Sequence, residues 1–296
     1  MPSGPLAAAL AYILWGLFPL YLKQIAQVPA MEIVLHRSAW SLLFMVALLA
    51  LLRRFAWLGA ALRQPRTLAL FSVSALLLAC NWLLYVWAVN NDRLLDASLG
   101  YFINPLVNVV LGYAVLQERP RPAQWAAVAL AAGGVLWLAL GAGHVPWVSL
   151  VLALSFAFYG LLRKTASLGA IEGLALETLV LAPLAVGGLL WLGATGQGHF
   201  GQGDTRVDLL LLAAGPATAV PLLLFASGAR RVTMATLGLL QYLGPTIQFL
   251  LGVFVYHEPF SASRGVGFAL IWAALALYSA ESWRVMRRQR STEAAA

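Results

Sequence analysis

Charge is the scarcest property of this chain: 11 acidic and 19 basic residues among 296, or 10% in all. A soluble domain carries about 25% charged residues. That shortfall, with 61% apolar residues and a mean hydropathy of +0.83, excludes a free globular protein and points to the lipid bilayer as solvent. The single cysteine, Cys80, excludes an intramolecular disulfide and a thiolate metal site, and within its apolar run it reads as a packed small residue. His144, His199 and His257 fall at loop or span-end positions without ligand spacing, so no metal or other cofactor is expected. A GxxxxGK[ST] loop is missing, which argues against a nucleotide-driven pump. Paired intraspan carboxylates, HExxH and an oriented Ser–His pair are missing too, which argues against an intramembrane enzyme; Ser38 and Ser41 near His36 are the nearest approach.

What is present is a series of apolar runs. A hydrocarbon core about 30 Å thick needs roughly 20 helical residues to cross it. Ten runs qualify, at about 5–22, 32–52, 68–89, 96–116, 123–141, 146–162, 172–193, 208–227, 235–255 and 264–283. They are continuous, without the ten-residue alternation of a barrel, so the expected fold is an all-α integral membrane protein. The first run lacks a basic n-region and a cleavage site, and is expected to remain as a span.

The cations set the orientation. With the N-terminus inside, cytoplasmic segments hold Arg53, Arg54, Arg63, Arg66, Arg119, Arg121, Arg163, Lys164, Arg230, Arg231, Arg284, Arg287, Arg288 and Arg290. External segments hold only Lys23, Arg93, Arg206 and Arg264, while Arg37 lies within a span. This bias is the positive-inside signature, with both termini cytoplasmic. Dispersed over short segments, the cations do not form a nucleic-acid surface, so the partners expected are the bilayer and a small-molecule substrate. The stretch RRFAWLGAALRQPR has the makings of a short interfacial helix on anionic lipid, burying Phe55, Trp57 and Leu58.

The chain also repeats itself. YFINPLVNVVLGYAVLQE, from Tyr101, lies over QYLGPTIQFLLGVFVYHE, from Gln241, with Pro105 on Pro245, Gly112 on Gly252 and Glu118 on Glu258. The same 140-residue offset lays MEIVLHRSAWSLL over IEGLALETLVLAP, and a slightly different one pairs Trp15-Gly16 with Tyr159-Gly160. Each copy holds five spans, an odd number, so the second enters the membrane from the opposite side. The expectation is two inverted five-helix repeats, 1–142 and 143–296, an architecture of transporters that places the substrate where the halves meet.

Polar residues inside lipid are costly, and their positions mark candidate function. Tyr101, Asn104 and Asn108 share one face of the fourth span beside Pro105. Gln241 and Gln248 take the equivalent positions on the ninth, beside Gly244 and Pro245. Such amides serve either as interhelical glue, at about 0.6–2 kcal/mol each, or as the wall of a cavity; repetition favours the cavity. Asn81 and Tyr85 lie one turn apart on the third span, with Trp82 and Asn90 nearby. Trp15 and Tyr159 lie too deep for interface anchors, a role that suits Trp57, Trp125, Trp147 and Trp283. Arg37 and Glu177 are the intramembrane charges. The 140-residue offset superimposes them, but inversion places them in opposite leaflets, so they are not expected to pair. Arg37, with His36, Glu32 and Asp96 on its side, either draws an anionic substrate group or snorkels outwards. Glu177 is a candidate proton or cation site, or a protonated structural carboxyl. The substrate-site candidates are therefore Trp15, Arg37, Asn81, Tyr85, Tyr101, Asn104, Asn108, Tyr159, Glu177, Gln241 and Gln248. Glu118 and Glu258 read as structural, accepting backbone donors at the start of the following helix.

LAYILWGLFPLYLK, NWLLYVWAVN, ASLGYFINPLVNVVLGY…ERP and TAVPLLLFASGARR…LGLLQYLGPTIQFLLGV…EP resemble the RarD-type branch of the EamA family, within the drug/metabolite transporter superfamily. The resemblance spans nearly the whole chain. It implies ten spans in two halves of inverted topology, a bacterial inner-membrane location, and transport of small organic metabolites. The expected function is a secondary transporter of a small organic solute, metabolite or drug-like, working by alternating access. A membrane sensor or scaffold that binds a ligand without flux is the alternative, and an intramembrane enzyme the third reading. Small-x-x-x-small pairs such as Ala129 with Gly133 do not decide between monomer and homodimer.

Overall fold

The computed structural model describes residues 3–90, 94–140, 147–255 and 262–293. Every regular element among these is helical: α1 Gly4–Leu22, α2 Ala30–Leu52, α3 Ala56–Arg63, α4 Pro65–Asn90, α5 Leu94–Ala114, α6 Pro122–Leu140, α7 Trp147–Thr165, α8 Ala170–Thr195, α9 Thr205–Ala229, α10 Met234–Gln241, α11 Leu243–Leu250 and α12 Ala262–Glu293. His144, His257 and Glu258, and the side chains of Asn90, Asp96 and Trp283, lie outside the described residues.

Among the described residues seven helices are long and apolar enough to cross a membrane: α1 with the turn that follows it, α2, α4, α6, α7, α8 and α9. Leu99–Ala114 within α5 and Gly265–Tyr278 within α12 are shorter apolar stretches. Exposed side chains such as Leu51, Leu140 and Phe254 suit contact with acyl chains, which remove no apolar surface from a favourable solvent. Cys80 is exposed on α4, not packed as expected. It adjoins inward-facing Asn81 but belongs to the outer face of the helix.

Local chemistry explains the helix ends. Asp204 caps α9, accepting from the backbone N of Arg206 and Val207 at 3.0 and 3.2 Å. Thr233 caps α10 through Thr236 N at 3.1 Å, and Gly196 closes α8 with φ of 67°. The run expected as one span over 235–255 is instead broken at Tyr242, and α11 leads into a π-helical turn over Leu251–Val255. Pro245 weakens the helix there, because it has no N–H for the carbonyl four residues back and its ring crowds that turn. Its counterpart Pro105 sits inside an unbroken α5. The stretch expected to lie on lipid does form a short helix, α3. Ala61 is buried against Phe71, with Trp57 packed beside them, while Phe55 stays exposed.

Packing crosses between the two halves of the chain. α1 lies along α9 and against α10 and α11; α7 lies along α5 and α4; α2 touches both α8 and α9. α6 and α12 pair with each other, around a core that includes Ala131, Phe268 and Ile271. α5 and α10 approach closely where Gly238 faces Pro105; a Cβ on Gly238 would meet the Pro105 carbonyl oxygen at 2.7 Å, so only glycine fits that contact.

Candidate functional site

Arg37 lies on the inner face of α2 and is 5% exposed. Its Nε donates to Thr218 Oγ1 on α9 at 2.9 Å. The guanidinium carbon stands 4.3 Å from the Trp82 ring centroid and 4.8 Å from that of Phe18, within cation–π range. Tyr85 and Tyr101 cross at 5.6 Å, and their phenols, with that of Tyr21, lie within electrostatic reach of the guanidinium. Snorkelling is thereby overturned: the side chain turns inward to a hydroxyl and two rings. Two of its expected neighbours, His36 and Glu32, are engaged elsewhere. His36 Nδ1 accepts from Trp40 Nε1 at 2.9 Å, and Glu32 accepts from His199 N at 2.6 Å while holding its Nδ1 at 2.9 Å.

Glu177 on α8 is the second buried charge, 1% exposed, and accepts from Ser74 Oγ on α4 at 2.5 Å. It has its own counter-charge. Arg163 Nη1, on α7, lies 3.8 Å from Glu177 Oε1, and Arg163 is also 1% exposed. Counted from sequence among the cytoplasmic loop cations, Arg163 is instead folded inward at the last turn of α7. Its Nη2 donates to the Ala170 carbonyl at 3.0 Å, and its guanidinium faces the Phe71 ring at 5.4 Å. Gly173 makes room for it, because a Cβ there would collide with Arg163 Nη1 and lie 2.6 Å from Phe71 Cε1. Tyr159 adjoins the Glu177 carboxyl, yet its hydroxyl falls short of hydrogen-bond geometry. Glu177 Oε2 and Arg163 Nε and Nη1 also lack hydrogen-bond partners among the described residues. Arg37 and Glu177 thus have separate partners, as the sequence predicts.

An aromatic cluster occupies the space between α1, α7 and α9. Trp15 meets Phe156 at 5.5 Å and Phe225 at 5.6 Å, while Tyr159 stacks on Phe225 at 5.8 Å with 16° between planes. Trp15 is half-buried and Tyr159 fully buried.

The amides join helices. Asn108 Nδ2 donates to Asn104 Oδ1 at 3.1 Å and to Gln241 Oε1 at 3.2 Å, so the two predicted stripes meet. Asn104 Nδ2 donates to the Ala153 carbonyl at 2.6 Å, tying α5 to α7. Asn81 Nδ2 reaches the Leu152 carbonyl at 3.0 Å and Ser155 Oγ at 2.9 Å. Gln248 Nε2 reaches the Trp15 carbonyl at 3.3 Å. The break at Tyr242 assigns Gln241 and Gln248 to different helices, so the single face expected for them is not formed. Glu118 does accept backbone donors, but the helix it caps is α10, not the following α6: both its oxygens take Met234 N, at 3.0 and 2.8 Å.

An apolar groove of about 330 Å³ runs between the start of α2 and the end of α8, along Leu35, Gly188 and Trp191.

A bundle of long apolar helices that holds charge, amide and aromatic groups at its centre defines a multi-pass membrane protein. Residues 2–140 match the model of the EamA-like transporter family. The chain is 49% identical over 287 residues to a RarD protein of Streptomyces exfoliatus, covering 97% of this chain and 91% of that protein. It is 47% identical over 286 residues to RarD of Escherichia coli K12, covering 97% of each. A crystal structure of a protein 22% identical in sequence superposes with a TM-score of 0.71, over 93% of this chain and 96% of that one, and shares the fold. The chain belongs to the RarD-type EamA-like transporters, and is a multi-pass protein of the bacterial inner membrane.

Proposed function

We propose that the protein is a secondary transporter that carries a small organic solute by alternating access, with its ten spans arranged as two inverted five-helix repeats, 1–142 and 143–296, and both termini cytoplasmic. One observation carries this reading. Arg37 on α2 bonds Thr218 on α9, and Glu177 on α8 bonds Ser74 on α4. Glu177 stands 140 residues after Arg37, and Thr218 stands 144 after Ser74. The hydroxyl partners lie on α4 and α9, one helical turn out of register with the 140-residue offset that superimposes the charges, and each pair spans the two halves. Buried polar contacts that bridge the halves on both sides suit rigid bodies that rock about a shared centre.

The solute site is assigned to the space bordered by Trp15, Arg37, Tyr85 and Tyr101, with Trp82 and Phe18 added by their contact with Arg37. Asn81, Asn104, Asn108, Gln241 and Gln248 hold its walls. Tyr159 and Glu177 form the opposite pole. An intramembrane enzyme is disfavoured because the Ser38 and Ser41 hydroxyls are spent on the carbonyls of Val34 and Gly215, at 3.0 and 3.2 Å, and neither is paired with His36. The purified protein in liposomes is expected to support saturable flux of at least one solute from a broad metabolite panel. No flux across that panel, with or without a proton gradient, would overturn the reading.

A further inference from the structure

We propose that Arg37 anchors an oxyanion site for a small organic monocarboxylate with a planar apolar part; this names a substrate class for the transport site above and rests on that reading. The two buried arginines supply the contrast. Arg163 has Glu177 at 3.8 Å. Arg37, buried to nearly the same degree, makes one hydrogen bond, to the neutral Thr218 hydroxyl, and no ion pair among the described residues. A guanidinium stays protonated at every physiological pH, so it cannot escape this position by losing its charge. A buried cation without a counter-charge is strongly destabilising, and a ligand that brings one removes the penalty.

Geometry narrows the class. Thr218 engages Nε, which leaves the edge formed by Nη1 and Nη2 free to grip two oxygens of one carboxylate. One guanidinium balances one negative charge. Trp82 and Phe18 stack against the cation, and half-buried Tyr85 and Tyr101 offer ring faces and hydroxyls beside it. Rings next to a charge suit a carboxylate that carries a planar body. A monoanionic lipid headgroup has the same charge chemistry but lacks that body.

The test uses full-length protein in phosphatidylcholine nanodiscs, with thermal unfolding and calorimetry against benzoate, phenylacetate, benzamide and acetate, repeated in phosphatidylglycerol discs. Benzoate or phenylacetate is expected to bind saturably and raise the melting temperature of the parent; acetate binds at least tenfold more weakly, and benzamide does not bind. Arg37→Gln abolishes the response, and Arg37→Lys, which keeps the charge but loses the fork, weakens it at least tenfold. Benzamide binding as well as benzoate, an unchanged response in Arg37→Gln, or stabilisation by phosphatidylglycerol alone would each overturn the assignment. Should Arg37→Gln not yield folded protein, unaltered affinity in Arg37→Lys overturns it. Flux separates the two readings. Saturable flux of a neutral solute that the arginine variants retain removes the anion site and leaves the transporter. Benzoate binding that meets every test without flux removes the transporter and leaves the anion site.

Discussion

Ser74 and Glu177 are 103 residues apart in sequence and 2.5 Å apart in space, and Thr218 and Arg37 repeat the arrangement at 2.9 Å on the other side of the duplication. The members differ in what else they meet. The carboxylate has a buried arginine beside it and the guanidinium has aromatic rings. Two positions that the 140-residue offset superimposes therefore carry opposite charge and keep different company. One pole is charge-compensated and suited to holding helices together; the other has no ion pair among the described residues and is suited to binding.

Breaking the compensated pole leaves one charge buried alone. Arg163→Met and Glu177→Gln are each expected to lower stability by about 3–5 kcal/mol. The double variant Arg163→Met/Glu177→Gln should lose less than the sum, as a double-mutant cycle by denaturant unfolding in detergent would show. Additive losses would mean that the two groups do not act on each other.

Gly173→Ala puts a methyl group where the Arg163 guanidinium now lies. A loss of about 1–3 kcal/mol is expected from the forced shift. It should shrink in an Arg163→Met background, where the crowding partner is gone. Equal losses in both backgrounds would place the clash elsewhere, for instance on Phe71.

Asn108 joins Asn104 and Gln241. Asn108→Ala is expected to lower stability by about 0.6–2 kcal/mol while the apparent affinity for solute in an uptake assay stays within twofold. A large affinity change at normal stability would make Asn108 a contact residue instead.

Glu118 closes α10 from another part of the chain by accepting Met234 N, with Lys164 Nζ 3.6 Å from the same carboxylate. Glu118→Ala should lower stability by about 0.5–2 kcal/mol, the scale of a lost helix cap. Glu118→Gln, which keeps an acceptor oxygen, should recover part of it. Unfolding of the two variants side by side decides the point.

Much of this was legible in the residues, for definite reasons. Apolar runs and the matched offsets of Pro105 with Pro245 and Arg37 with Glu177 are properties of composition and spacing, which need no tertiary information. Arg163 was hidden because an Arg-Lys pair at the end of an apolar run looks like a loop; Gly173 and Glu177, one turn apart on the next helix, were the signal that a large cation needed room and a partner there. Thr218 was not legible from the 140-residue offset, which carries Ser74 onto Ala214, one turn away. The break at Tyr242 was obscured because Pro105 and Pro245 stand in matched positions, and only packing against neighbours decides which helix stays whole.

Alternating access itself is tested most directly by thiol reactivity on α4, where positions 74 and 85 lie about 16 Å apart along the helix axis. With exposed Cys80 replaced by serine, Tyr85→Cys beside Arg37 and Ser74→Cys beside Glu177 would each be probed with a membrane-impermeant maleimide added to one side of oriented proteoliposomes. The account predicts that the two cysteines react from opposite sides, and that a transported solute speeds one reaction while slowing the other. Reaction of both from the same side, or equal slowing of both by solute, would contradict it.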